Sequence, residues 1–192
     1  MKFIRVIKSS LPNENSLGEP IADNEQTLQN FWNWFGDSKM VDEKGRPIVF
    51  YHGTKKKFDT FDKRKRLFNQ QVFFFAPLKR RDSLAGYYAY DLPGKGYILS
   101  CYLKIENPIV YSPGYFHETT DKNLHNFGDG LISVVDEKIK HNYYNYSKDK
   151  LELEQLNVGD IWQVGVFEPN QIKHVESKVF DKNTNNIYGG LK

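Results

Sequence analysis

The chain has 192 residues, 39% hydrophobic and 27% charged, with a formal net charge of +3. That length suits one compact domain with a sizeable core, and its 14 Phe, 12 Tyr and 3 Trp carry too much buriable ring surface for a disordered chain. The sequence lacks the roughly 20-residue apolar run that spans a bilayer, and its single cysteine, Cys101, excludes an internal disulfide and a cysteine-based metal site.

Met1–Lys8 alternates and predicts a short strand or arm; Arg5 and Lys8 break any signal-peptide core. Ser9–Glu25, with Pro12, Gly18 and Pro20, predicts a loop or linker, so residues 1–25 are read as an arm and linker and 26–192 as the folded domain. Gln26–Phe35 places Leu28, Phe31, Trp32 and Phe35 at helical spacing, with Asn24 or Thr27 as the N-cap and Gly36 as the stop. Asp42–Pro47 is a turn, Ile48–His52 a short strand and Val72–Ala76 a buried strand. Leu78–Tyr90 predicts a helix with Leu84, Tyr87 and Tyr88 near one face. Tyr97–Ile105, Asn107–Val110, Gly130–Val135 and Ile161–Phe167 are further strands, and Tyr143–Asp160 is polar and ambiguous. Strands outnumber helices without regular alternation, which predicts an α+β domain.

The small net charge hides a basic segment. Between Gly53 and Asp82 stand ten Lys/Arg against three Asp, concentrated in Lys55–Arg66 and Lys79–Arg81. Such a run attracts phosphate-bearing partners or is simply a solvated loop. With Phe58, Phe61 and Phe68 interleaved, it has the composition that binds single-stranded nucleic acid.

Common catalytic patterns are missing. There is no phosphate loop, no dinucleotide glycine fingerprint and no Gly-x-Ser-x-Gly elbow. The histidines His52, His117, His125, His141 and His174 show no metal-ligand spacing, so no metal is expected. One local feature is sharper: Tyr51-His52-Gly53-Thr54 closes a strand and opens a charged loop. A histidine held by a sheet can present its ring to a cleft, and the glycine after it lets a ligand reach the backbone. An ordinary turn after a strand reads the same way.

Five segments in order carry a family resemblance. Phe31–Phe61, Phe73–Ala89, Cys101–Val110, Asp129–Ile132 with Val166–Lys173 (VFEPNQIK), and Phe180–Tyr188 together resemble ADP-ribosyltransferases of the His–Tyr–Glu type, the group of diphtheria toxin and the poly(ADP-ribose) polymerases. The likeness is nearest to the small transferase domains of phage and mobile-element polyvalent proteins, and it runs from about Phe31 to Tyr188. It implies two small packed antiparallel sheets with flanking helices around an NAD cleft, NAD as substrate, no metal, and transfer of ADP-ribose with release of nicotinamide.

The resemblance also assigns roles. His52 matches the histidine that bonds a ribose hydroxyl, and Gly53 the glycine whose backbone pairs with the nicotinamide carboxamide, with Thr54 beside them. Tyr88 matches the tyrosine that stacks on nicotinamide, and Tyr87 is the competing register. Phe74 is placed as a second aromatic wall and Ser83 as a contact to the carboxamide. Stacking of this kind contributes on the order of 1 kcal/mol per ring pair. The alternative for the tyrosines is core packing, since one of two adjacent helical residues normally faces inward. The same holds for two of Phe73–Phe75.

At the third signature position the chain departs from the pattern. Four residues before Phe167, where relatives carry glutamate, stands Gln163. Glutamine keeps a hydrogen bond to the ribose and loses the anion that favours positive charge at the anomeric carbon. That loss is expected to cost about 10²- to 10³-fold in rate. Three readings fit: a glutamine compatible with catalysis, a substitution that silences the enzyme, or a binding module without catalysis. Glu168 and Glu154 are the candidate substitutes.

The resemblance further implies a toxin or phage effector in the cytoplasm of a bacterial or phage-infected cell, with no membrane contact and with an antitoxin as a potential partner. Its acceptor is a host protein, or RNA or DNA drawn by Lys55–Arg66 and Lys79–Arg81.

Overall fold

The computed structural model describes residues 11–65, 72–90, 96–111, 124–134, 160–177, 180 and 185–188. Helix α1 (Glu25–Phe35) starts where expected: Asn24 Oδ1 accepts from Thr27 N at 2.9 Å, and Glu25 meets the positive end of the helix dipole. It stops at Gly36, whose φ of 59° suits glycine and whose N–H donates to Trp32 O. The i, i+3, i+4 spacing of Phe31, Trp34 and Phe35 turns three rings inward, where Phe31 meets Tyr102 and Phe180 edge-on at 5.0 Å.

Seven strands follow: β1 (Phe50–Thr54), β2 (Phe73–Pro77), β3 (Tyr97–Leu103), β4 (Pro108–Tyr111), β5 (Gly130–Val134), β6 (Ile161–Val166) and β7 (Ile172–His174). They form one sheet in the order β4-β5-β6-β2-β1-β3-β7, with β4 and β7 at its edges. The α+β expectation fits this architecture; the expected pair of wholly antiparallel sheets does not. The strands are continuous, and β4 and β5 run parallel. The reason lies at their starts. Asp129 accepts from the N–H groups of Glu106 and Asn107, and its own N–H donates to Asn107 O. Clamped side by side there, the two strands leave in the same direction. A trace of two halves survives, because β1 meets β2 through only two residue pairs, Phe50↔Pro77 and Tyr51↔Ala76.

Alternation along β2 and β6 divides the core. Phe73, Phe75, Val164 and Val166 face the large cluster that also holds α1, while Val72 and Phe74 join Leu124, Leu131 and Phe167 on the other face. Residues 11–24, read as a linker, lie on the domain. Asn15 is fully buried and donates to the Tyr102 hydroxyl at 3.1 Å, Ile21 enters the main cluster, and Ser16 Oγ accepts from Val49 N. Met1–Lys8, residues 143–159 of the ambiguous polar stretch, Phe68, His117, His141 and Glu154 lie outside the described residues.

The helix expected over Leu78–Tyr90 is broken into a 3-10 turn (Leu78–Arg80), a π turn (Arg81–Ala85) and a short helix α2 (Gly86–Tyr90). The wide turn rephases the segment so that Ala85 and Ala89, rather than the tyrosines, face the sheet. Tyr87 and Tyr88 are 69% and 43% exposed, so neither packs into the core. Strand β7 has no counterpart among the expected elements: three residues, the last two of VFEPNQIK and His174 after them, give too short a pattern to separate from a loop.

Candidate active site

Beyond Tyr51 the sheet forks. Strand β1 keeps its ladder with β3 as far as Thr54↔Tyr97, while β2 continues with β6 through Phe74↔Gly165 and Phe73↔Val166. His52 stands at the split and bridges it: its Nδ1 lies 2.8 Å from Phe74 O. A carbonyl only accepts, so Nδ1 carries the proton and Nε2 of the neutral ring remains an acceptor. Burial pushes the His52 pKa below its ordinary value, partly offset by the bond to Phe74. The ring is boxed by Phe61, Phe75 and Phe58, with centroids at 4.9, 5.2 and 6.2 Å.

That box corrects one expectation. Phe61 is buried and Phe58 half-buried, so both hold the histidine instead of stacking on a nucleic acid. The basic run is likewise partly neutralised within the chain. Lys63 pairs with Glu168, and Arg64 forks onto Asp62, whose carboxyl it draws down to about 2.

Gly53 is held from the side by the π turn. A Cβ built on it would sit 1.8 Å from Ala85 O, and one on Gly96 would sit 1.6 Å from Ala89 O. No side chain fits at either position, and the absence of one lets the Ala85–Ala89 edge lie directly on β1 and β3. The Thr54 hydroxyl donates to Lys56 O and closes the turn after β1. Ser83 is exposed and donates to Arg80 O at 3.4 Å. Tyr87 and Tyr88 meet edge-on at 5.3 Å on the outer side of α2. Phe74 lays its ring over Gly165 and packs with the smaller cluster.

Gln163 is half-buried on β6, paired with Ser133 across a β-bulge. One further step of the β2–β6 register sets it opposite Ala76, itself the partner of Tyr51. It therefore stands two strand spacings, about 10 Å, across the sheet from β1. Alternation gives Gln163 the face of Phe74 and gives His52 the face of Phe75. The two side chains share the fork region but not one flat face. Ser133 Oγ, fully buried beside Gln163, has no hydrogen-bond partner among the described residues. Glu168, a candidate substitute, lies exposed beyond the end of β6, where Lys63 engages it.

A cavity of about 520 Å³ lies elsewhere, lined by Trp34, Lys104, His125, Asp129, Phe167 and Gln171 among others. Of the candidates read from the sequence Glu168 borders it, while His52, Gly53, Tyr88 and Gln163 do not. The VFEPNQIK segment borders it for a structural reason. The Gln171 carboxamide accepts from Phe167 N and Glu168 N and donates to Lys104 O and Asp129 O, fastening the β6–β7 connection to the end of β3 and the start of β5.

Sequence reasoning missed the aromatic box, Ser133 and the Arg80–Trp162 pair. Phe58-x-x-Phe61 so close behind the His-Gly step was the available signal for the box. The other two depend on a bulge and a π turn that no local pattern announces.

A forked α+β sheet with an oriented histidine at the split is what the geometry provides. The family comparison supplies the rest: the model described as ADP-ribosyltransferase in polyvalent proteins matches residues 42–182, and the chain belongs to that family. No curated protein and no solved structure gave a match. ADP-ribosyltransferases use NAD as substrate, and the expected resemblance to the polyvalent-protein type holds.

Proposed function

We propose that this domain transfers ADP-ribose from NAD to a macromolecular acceptor, with the fork between β1 and β2 as the nicotinamide-ribose site. The observation that carries the reading is the His52–Phe74 bond at the split, in a chain of this family. With Nδ1 committed to a carbonyl, Nε2 is an acceptor aimed at a hydroxyl, which suits a ribose and fits NAD.

In the reaction the C1′–nicotinamide bond breaks, a bond from C1′ to the acceptor nucleophile forms, and the nucleophile's proton leaves. His52 orients the ribose through Nε2. Gly53 gives the carboxamide access to backbone, Tyr88 (or Tyr87) supplies the stacking face, and Phe74, Thr54 and Ser83 border the pocket. Gln163 holds a ribose hydroxyl as donor or acceptor but adds no negative charge, so catalysis rests on orientation and stacking. The enzyme acts in the cytoplasm as a toxin-like or phage effector, on a host protein or a nucleic acid. Gln163 also favours a second reading, a silent module of the same fold that binds NAD or nucleic acid.

Incubation with labelled NAD and cell lysate separates the two. Label on an acceptor from the unaltered chain supports the enzyme. For Gln163→Glu, a gain of about 10²- to 10³-fold is expected from the restored anion. Absence of label from both forms refutes the enzymatic reading, and nuclease and protease digestion of labelled samples identifies the acceptor class.

A further inference from the structure

Just past the end of β2, two consecutive arginines straddle the strand. Arg80 reaches across to β6, with its guanidinium carbon 3.7 Å from the centre of the Trp162 ring, and Arg81 turns to β1, 5.4 Å from the Tyr51 ring. Arg81 has a carboxylate nearby, Asp82 at 3.5 Å. Arg80 has none among the described residues, and its Nε–H is buried without an acceptor there. Among the described residues, then, this half-buried cation has neither a counter-ion nor an acceptor for its Nε–H. The indole face beneath it holds the guanidinium in place, and its other N–H groups are donors suited to an anion.

The neighbourhood says which anion. Trp162 adjoins Gln163 on β6, where alternation turns it to the face of His52, so the anion would be held near the fork read as the transfer site. Lys79 and Arg81 flank Arg80 in the chain and are exposed. A cation on an aromatic platform, with two further basic side chains beside it in the chain, matches a nucleic-acid backbone better than a protein surface. We propose that Arg80 on Trp162 is a phosphate-binding site for the backbone of a single-stranded nucleic-acid acceptor. The proposal deepens the transferase reading and rests on it for the identity of the bound strand as acceptor.

The test measures binding of fluorescently labelled single-stranded RNA and DNA oligonucleotides by anisotropy across a salt series, without NAD. The unaltered chain is expected to bind with a steep salt dependence. Arg80→Ala should weaken binding about tenfold and flatten the logarithmic salt slope by about 0.7, the signature of one lost phosphate contact. Arg80→Lys keeps the slope and loses affinity, because charge remains while the stacked fork is gone. Lys44→Ala, a matched loss of one exposed charge in the Asp42–Pro47 turn, away from the basic segments, should change affinity less than about twofold. Thermal unfolding confirms that each variant is folded; should Arg80→Ala fail, Arg80→Lys and Lys44→Ala carry the comparison. Equal effects of the Arg80 and Lys44 variants, no effect at Arg80, or no binding by the unaltered chain overturns the proposal. Label found on protein by a chain that binds no oligonucleotide overturns it as well. NAD binding measured separately by thermal shift keeps the parent reading distinct: its failure with oligonucleotide binding intact removes the transferase, not the phosphate site.

Discussion

Replacing Gly53 with alanine tests how the candidate site is built. The added Cβ would lie 1.8 Å from Ala85 O, 2.7 Å from its carbonyl carbon and 3.1 Å from its Cα. All three are backbone atoms, so no rotamer change relieves the overlap. Restoring ordinary contact requires the π turn to retreat by about 1.5 Å. That movement also lifts Ala89 from Gly96 and opens both small-residue contacts of the segment. A retreat of this size belongs at the upper end of overpacking costs, about 3 kcal/mol. For a domain of this length it lowers Tm by roughly 6–12 °C. The assay is thermal unfolding of Gly53→Ala, Gly96→Ala and the double variant. Because one displacement of the segment relieves both overlaps, the double variant should lose distinctly less than the sum. A Tm for Gly53→Ala within about 2 °C of the parent would refute the close docking on which the site description depends.

Two further outcomes follow from the described contacts. Burial lowers the His52 pKa, so between the depressed folded value and the ordinary value near 6.5 the unfolded chain binds more protons. Stability is then fully present above about pH 6.5 and falls as the medium is acidified through that window; His174, also lowered by burial, adds in the same direction. Urea midpoints between pH 5 and 8 should show the fall, and His52→Gln should make it shallower. Gln171→Ala strips partners from two N–H groups and two carbonyls and should cost about 2–4 kcal/mol, while Gln171→Glu should be worse, because a carboxylate there faces the Lys104 and Asp129 carbonyls. Denaturant melts that rank the glutamate above the alanine would contradict this assignment of the hub.

Much of the architecture was legible because its signals are local. Asn24, the inward rings of α1 and Gly36 announce a helix by cap, period and stop, and the apolar strand runs lie within a few residues of those observed. His52 and Gly53 were legible as a strand end opening a loop. The fork that gives them meaning was not, because it depends on where the β1–β2 ladder stops. Likewise, the exposure of Tyr87 and Tyr88 follows from one wide turn, which a uniform helical period cannot anticipate. The parallel β4–β5 pair turns on Asp129, whose reach to Asn107 spans more than twenty residues of chain. Long-range clamps of this sort leave no local periodic trace.

The rims of the sheet have a consequence for how the molecule behaves in a crowd. One border is the four-residue β4, opening with Pro108, which has no amide hydrogen to offer; the other is the three-residue β7. Among the described residues neither rim gives a stranger's backbone much length to zip onto, which disfavours chain-to-chain accretion at those two strands.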